Sequence, residues 1–117
     1  MGETNLVAAY QNAVRRLQEA QVKAQRLADF ISDAGKKLEY WPTVTFSNID
    51  FKFPSVERQY VREVDAAAWP SAAEVAQAIV EYHDAKTAAD VAWDAIDEDG
   101  RVGLQEPRGW TGARFRE

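Results

Sequence analysis

Cysteine is absent from this sequence, and histidine occurs once. Without cysteine the chain can form no disulfide and no zinc–thiolate site, and it has no thiol nucleophile. No run of apolar residues approaches the roughly 18–20 that are needed to cross a bilayer. The N-terminus lacks the charged-then-apolar order of a signal peptide, so we expect a cytoplasmic protein without a membrane partner.

The residues that catalysis requires are scarce too. His83 is the single histidine, and a catalytic histidine needs a nucleophile or a second acid–base group within reach. Neither a cysteine nor a glycine-flanked serine is available as that nucleophile. The sequence therefore predicts a protein that is not an enzyme and carries no cofactor.

Charge is distributed unevenly along the 117 residues, whose net charge is -5. Residues 71–100 contain one basic and eight acidic side chains, whereas residues 101–117 contain four basic and two acidic ones. The acidic segment argues against direct binding of nucleic acid, because it would repel phosphates. Arginine outnumbers lysine nine to five, which is typical of GC-rich bacterial or phage genomes.

The first 38 residues carry the pattern of one long helix. Apolar residues step by four and three, as in a coiled-coil seam. Only Gly35 interrupts the helix-forming composition before Trp41-Pro42 must end it. We therefore predict a helix at about 4–38 whose apolar seam joins two copies of the chain. The residues of this self-association seam are Leu6, Tyr10, Ala13, Leu17, Ala20, Ala24, Leu27 and Ile31.

The middle of the chain changes to a period of two. In the stretch "TVTFSNIDFKF", apolar residues alternate with polar ones on both sides of Ser47-Asn48. A two-residue turn there would pair Phe46 with Ile49 and place the apolar side chains on one face. The pattern predicts a β-hairpin at about 43–53, whose apolar face must pack on helices or on another subunit.

The segments on the C-terminal side are of three kinds. Residues 55–66 fit either a short helix or a third strand, since they combine helical spacing with β-branched residues. Ser71 and Glu74 form a capping-box pattern that predicts a helix at about 72–98. Residues 107–117 have no periodicity and predict a flexible basic tail.

Together these elements predict a mainly α protein. We expect a single helical domain at 1–106, built as a long antiparallel, coiled-coil-like helical hairpin. The small β-hairpin and, on one interpretation, a short helix would be inserted in the connection between its two helices. A chain of this length is enough for one modest core.

The stretch 95–106 resembles a calcium-binding EF-hand loop in part. Asp97, Asp99 and Glu106 stand at ligand positions of that motif, but its first position is Ala95, which has no side-chain oxygen. No helical pattern follows the loop, since Pro107 comes directly after it. We treat these carboxylates as weak candidates and predict no functional metal site.

Three functions are compatible with the sequence. The first is a non-enzymatic protein–protein interaction or assembly module that self-associates through the seam of the first helix. The second is a small inhibitor of the kind that phages and mobile elements encode, with an acidic helix face that binds a basic or nucleic-acid-binding protein. The third is a degenerate, EF-hand-like calcium module. The acidic face of the second function comprises Glu74, Glu81, Asp84 and Asp94.

Overall fold

A computed structural model describes residues 2–53 and 61–108. The protein is mainly helical, and its described part contains two α-helices and a small two-stranded sheet. The elements follow in the order α1 (Gly2–Leu38), β1 (Val44–Ser47), β2 (Arg62–Asp65) and α2 (Ala72–Asp94). Neither helix has the length and hydropathy that a membrane-spanning segment requires.

Backbone contacts divide the chain into two compact units. Unit 1 comprises Met1–Ala24 and Ala76–Glu117, and unit 2 comprises Gln25–Val75. Helix α1 contributes to both units, and so does α2 through its first residues. The prediction of one domain at 1–106 stays a prediction.

Helix α1 continues through Gly35 instead of ending there. A Cβ atom added at Gly35 would meet no atom within 4 Å, so no close approach requires a glycine. The helix ends when the amide of Tyr40 bonds to the carbonyl of Lys37 at 3.0 Å and the chain enters a short 3-10 turn, Trp41–Thr43. Pro42 in that turn lacks an amide hydrogen and cannot continue an α-helix.

Helix α2 begins with the predicted capping box and ends earlier than the sequence suggests. The amide of Glu74 donates to Ser71 Oγ at 3.0 Å, and the amide of Ser71 donates to Glu74 Oε1 at 3.1 Å. The helix ends at Asp94 because the chain turns to bury Ile96, which is 1% exposed. Residues 98–103 continue as turns, with Gly103 at a φ of 84°.

The core of unit 1 is made largely of small side chains. Leu17 and Ala20 of α1 pack with Ala85 and Ala89 of α2, and each is 9% exposed or less. Alanines allow two helix backbones to approach closely. The packing of α1 on α2 therefore depends on a short distance between the helices more than on the apolar surface area that they bury. Tyr10 lies on Trp93 with ring centroids 5.2 Å apart, and Lys23 forms an ion pair with Glu81 at 2.9 Å.

The core of unit 2 lies between α1 and one face of the sheet. Ala34 of α1 packs with Val44 and Val64, and all three are 6% exposed or less. Phe30 and Phe46 are partly buried against this cluster. The alternate residues of β1, Thr45 and Ser47, point to the other face, as the pleat of a strand requires.

The predicted β-hairpin at 43–53 is wrong. β1 pairs in parallel with β2, so that Val44 lies opposite Arg62 and Phe46 lies opposite Val64. The turn after β1 explains the difference. Asn48 has a positive φ of 55°, and its side-chain amide nitrogen, Nδ2, donates to the Asp65 carboxylate at 2.9 Å. This bond ties the turn to the end of β2, so the chain does not fold back on β1.

Two further predictions concern segments that the structure describes only in part. Of the segment at 55–66, residues 55–60 lie outside them, while Arg62–Asp65 takes the strand form of the two alternatives. The predicted tail at 107–117 is described only as far as Arg108, whose carbonyl accepts a hydrogen bond from Gln21 Nε2 at 2.9 Å.

Candidate interaction surface

Five aromatic rings of unit 2 form a continuous chain in space in which each ring contacts the next, and we call them the aromatic row. Phe30 meets Trp69 edge to face at 5.7 Å, and Trp69 lies 6.4 Å from Phe46. Phe46 stacks on Phe53 at 6.4 Å, and Phe53 meets Phe51 edge to face at 5.2 Å. Distances and tilts of this kind are favourable between aromatic rings. The row runs from the partly buried Phe30 to Phe51, which is 63% exposed.

A second group of side chains, the Tyr40 patch, lies where β1 and β2 begin, and all of its members except the partly buried Arg62 are exposed. It comprises Tyr40, Trp41, Val61 and Arg62. The Arg62 guanidinium lies 4.2 Å from the centroid of the Tyr40 ring and donates to Thr43 Oγ1 at 2.9 Å. The amide of Val61 donates to the carbonyl of Thr43 at 3.0 Å. Trp41 is 75% exposed and Val61 is 69% exposed, so the patch presents a large apolar surface to solvent.

Exposed aromatic rings distinguish unit 2 from unit 1. Tyr40, Trp41, Phe51 and Trp69 are the aromatic side chains among the exposed large apolar residues that the structure describes, and all four lie in unit 2. At about 200 Å² for each ring, they leave on the order of 500 Å² in water. This area is divided between the Tyr40 patch and the aromatic row, and exposed apolar groups of this kind are candidates for an interaction site.

The charges of unit 2 nearly balance. Its described residues include five basic and seven acidic side chains, which leaves a net charge of -2. Several of these charges are already engaged in the fold: Lys37 forms an ion pair with Asp33 at 3.2 Å and donates to the carbonyl of Glu63 at 3.0 Å. Two copies of such a unit would repel each other only weakly.

The turn that follows β1 is held by a carboxylate. The hydrogen bond from the Asn48 amide, followed by that from the backbone amide of Ala67, lowers the pKa of Asp65. Asp65 therefore connects the turn after β1 with the 3-10 turn that leads to Trp69. The connection therefore joins the two segments that carry Phe51 and Trp69 of the aromatic row.

The predicted self-association seam of α1 divides into two parts. Its members Tyr10, Leu17 and Ala20 are buried in unit 1 at 3%, 1% and 9% exposure, against residues of the same chain. Leu6, Ala13, Ala24 and Leu27 are partly buried, and Ile31 is 38% exposed. The best-packed part of the seam is therefore already covered within one chain, which favours another surface for self-association.

The predicted acidic face is also partly engaged within the chain. Glu74 caps α2, and Lys23, followed by Gln77, lowers the pKa of Glu81 through hydrogen bonds. Asp84 and Asp94 are exposed. The structure therefore leaves two of the four predicted carboxylates for a basic partner, and the inhibitor function stays a prediction.

The EF-hand-like stretch forms a turn that is bonded to itself. Asp97 Oδ1 accepts the amide of Gly100 at 2.8 Å, and residues 101–108 contain no helix. Within the described ranges no three acidic or histidine side chains gather as metal ligands, so Asp97, Asp99 and Glu106 form no such group. Arg101 supplies a positive charge at the end of α2, where its Nη2 donates to the carbonyl of Trp93 at 3.1 Å.

The residues after that turn pack on unit 1. The Tyr10 hydroxyl donates to the backbone carbonyl of Gln105. Burial, followed by the carboxylates of Glu106 and Asp90, raises the pKa of Tyr10, so the hydroxyl keeps its proton and acts as a donor. The Arg101 guanidinium lies 5.0 Å from the Trp93 ring. These contacts favour a structural role for the stretch.

Sequence reasoning missed most of the candidate surface. It predicted that the apolar face of a β-hairpin at 43–53 must be covered, but it assigned no surface role to Trp41, which it used only to end the first helix. Tyr40, Val61 and Arg62 carry no pattern of their own, since only the parallel pairing of β1 and β2 brings them together. The one available signal was Trp41-Pro42, which places a large ring directly after the end of a helix.

Comparison with protein-family models, with curated proteins and with solved structures finds no match for this chain. Its function is therefore inferred from the surfaces described above.

Proposed function

We propose that the protein is a non-enzymatic interaction module that assembles with a second copy of itself through unit 2. The single observation that carries this proposal is the exposure of Tyr40, Trp41, Phe51 and Trp69 in a unit with little net charge. Tyrosine, tryptophan and arginine dominate the binding energy of protein interfaces. The Tyr40 patch combines all three residue types.

We further propose that α1 and α2 pair antiparallel in unit 1, as a short coiled-coil-like hairpin. The order of the contacts supports this arrangement, because Tyr10 lies beside Trp93 while Lys23 lies beside Glu81. In this proposal unit 1 is a self-sufficient helical scaffold, and unit 2 carries the contact surface.

Sedimentation equilibrium of the purified protein tests the function. At tens of micromolar we expect a dimer or a higher two-fold assembly. Replacing Trp41 and Phe51 together by serine should weaken the association at least tenfold, because they are the two most exposed large aromatic side chains that the structure describes. Because both side chains are largely exposed to solvent, their replacement should leave the fold intact. The far-UV circular dichroism of the variant should therefore match that of the wild type.

The matched control replaces two exposed aliphatic side chains of unit 1. Val80 and Val91 are 51% and 64% exposed on α2, and their double serine variant should associate like the wild type. A wild type that stays monomeric at these concentrations contradicts self-association. Equal losses in both double variants would contradict the assignment of the contact surface to unit 2.

A further inference from the structure

The two-stranded sheet of unit 2 has edges of unequal character. The amide of Val44 bonds to the carbonyl of Trp41 and not to β2, so the polar backbone groups that face β2 are those of the next residue, Thr45. Those of Val44 and Phe46 then point away from β2. Glu63 lies opposite Thr45, so its carbonyl points away from β1 on the far side of the sheet.

The outer edge of β2 is blocked by charge. Lys37 Nζ donates to the outward carbonyl of Glu63 at 3.0 Å, and the strand itself reads "REVD". Lysines and other charges on an edge strand are a common means of preventing further strand pairing. A second strand would have to displace the lysine and desolvate the charges of β2.

Among the described residues, no charged side chain blocks the outer edge of β1 in this way. The strand reads "VTFS" and contains no charged residue. The amide of Val44 bonds to the carbonyl of Trp41, and of the backbone bonds that the described residues form outside their helices and strands, none involves the carbonyl of Val44 or the backbone of Phe46. A sheet of two strands is marginal alone, so this edge favours the addition of a strand.

We propose that β1 pairs antiparallel with β1 of a second copy, around a two-fold axis at Thr45. The result is a continuous four-stranded sheet in the order β2, β1, β1, β2. This inference rests on the proposed self-association and names its contact. Phe46 donates its amide to Val44 of the second copy, and by symmetry the same bond forms in the other direction.

The side chains of β1 are self-complementary in this register. Thr45 lies opposite Thr45 of the second copy on the polar face, and Val44 lies opposite Phe46 on the face that α1 covers. Threonine pairs and pairs of aromatic with β-branched residues both stabilise antiparallel strands. A shift by one residue would place apolar side chains on the polar face, so the register is well determined.

The exposed residues that flank β1 support the same axis. Trp41 precedes Thr45 by four positions and Ile49 follows it by four, and they are 75% and 47% exposed. A two-fold axis at Thr45 brings Trp41 of one copy towards Ile49 of the other, twice. Apolar side chains at both ends of β1 that are in water in one chain would thus cover each other.

A cysteine at the axis tests this contact directly, because the protein has no cysteine of its own. In the proposed register the two copies of residue 45 lie opposite each other and form no backbone hydrogen bonds with each other. The Cα atoms of such a residue pair in antiparallel strands are about 4.5 Å apart, which is within disulfide range. Thr45→Cys at tens of micromolar should therefore form a covalent dimer under mild oxidation, as seen by non-reducing electrophoresis.

The matched control is Glu63→Cys, opposite Thr45 on β2. In the proposed sheet the two copies of residue 63 are three strand spacings apart, at about 14 Å, and cannot be bridged. Rapid cross-linking of Thr45→Cys alone supports the proposal. Equal cross-linking of both variants, cross-linking of Glu63→Cys alone, or none in either variant contradicts it.

Opposite charges at the axis give an independent test. Thr45→Lys and Thr45→Glu each place like charges against each other, so each variant alone should associate at least tenfold more weakly than the wild type. An equimolar mixture should recover association as a heterodimer, measured by sedimentation. Loss without recovery on mixing contradicts the axis at Thr45.

The outcomes separate this inference from the proposed function. If the wild type is monomeric at tens of micromolar, both fail. If it is dimeric but the lysine and glutamate variants associate as tightly as the wild type, self-association stands and pairing through β1 is wrong.

Discussion

Unit 1 and unit 2 use their apolar residues in opposite ways. Unit 1 encloses Leu17 among alanines and buries most of Tyr10 against Trp93, while its described residues carry a net charge of -4, from six basic and ten acidic side chains. Unit 2 has a smaller buried cluster around Ala34 and leaves four aromatic rings exposed. We propose that unit 2, whose aromatic surface lies on a two-stranded sheet, needs a partner, and that the helix pair of unit 1 does not.

The largest expected effect tests the self-sufficiency of unit 1. Leu17→Ala should lower the free energy of unfolding by about 2–5 kcal/mol, because Leu17 is 1% exposed and the other buried residues of its cluster are alanines, which cannot fill the cavity. Urea unfolding followed by circular dichroism measures the change. Val91→Ala, at an exposed position of α2, should change it by no more than about 0.5 kcal/mol. Similar losses in the two variants would show that the helix pair is not tightly packed.

A smaller effect is expected at the end of α2. Arg101→Ala removes the hydrogen bond to the carbonyl of Trp93 and the contact with the Trp93 ring, and it should cost about 1–3 kcal/mol of unfolding free energy. Arg108→Ala is the control, since Arg108 accepts the Gln21 amide through its backbone carbonyl and its side chain is exposed. If both arginine variants unfold at the same urea concentration, Arg101 does not hold this end of unit 1.

Two glycines allow the effect of backbone conformation on stability to be separated from the effect of side-chain packing. At neither Gly35 nor Gly103 would an added Cβ meet an atom within 4 Å, but only Gly103 has a positive φ, of 84°. Gly35→Ala should stabilise the protein by about 0.5–1 kcal/mol, because alanine is the better helix former. Gly103→Ala should destabilise it, since alanine is strained at that φ. Thermal unfolding of the two variants measures both signs, and a loss in Gly35→Ala would mean that α1 is not helical there.

The smallest effect is a dependence on pH in unit 2. The pKa of Asp65 is lowered in the folded protein, first by Asn48 and then by the amide of Ala67. Its contribution to stability is therefore present above the ordinary aspartate pKa of about 3.9 and is lost as the pH falls through the lowered folded value. Asp65→Asn should show a shallower loss of stability in that acid range than the wild type. Identical pH profiles would indicate that the turn does not depend on the carboxylate.

The sequence predicts those structural features that depend on residues close together in the chain, and it does not predict those that depend on distant residues. The capping box of Ser71 and Glu74 and the long first helix are set by nearby residues, and the periodicity indicates them well. The pairing of β1 with β2 is not local, since Val44 meets Arg62 across an intervening segment. Alternation in "TVTFSNIDFKF" is equally consistent with a hairpin, and only the bond from Asn48 to Asp65 decides against it.

The candidate surface was harder to predict than the fold. Leu17 and Ala20 follow a seam that fits a second copy as well as it fits α2, because a heptad pattern does not specify which helix covers it. Trp41 looks like a core residue by composition, and its exposure depends on the 3-10 turn that holds it. Sequence periodicity identifies apolar faces, but three-dimensional packing decides which of them stay uncovered.

Hydrogen exchange at two protein concentrations tests the division between the units most directly, and it requires no substitution. When the protein concentration is raised from about one to about one hundred micromolar, we expect slower exchange in residues 40–53, with Phe46 among the amides that slow most. Residues 76–94 of α2 should exchange at the same rate at both concentrations. Slower exchange along α2 with no change in 40–53, or no change anywhere, would contradict the assignment of the contact surface to unit 2.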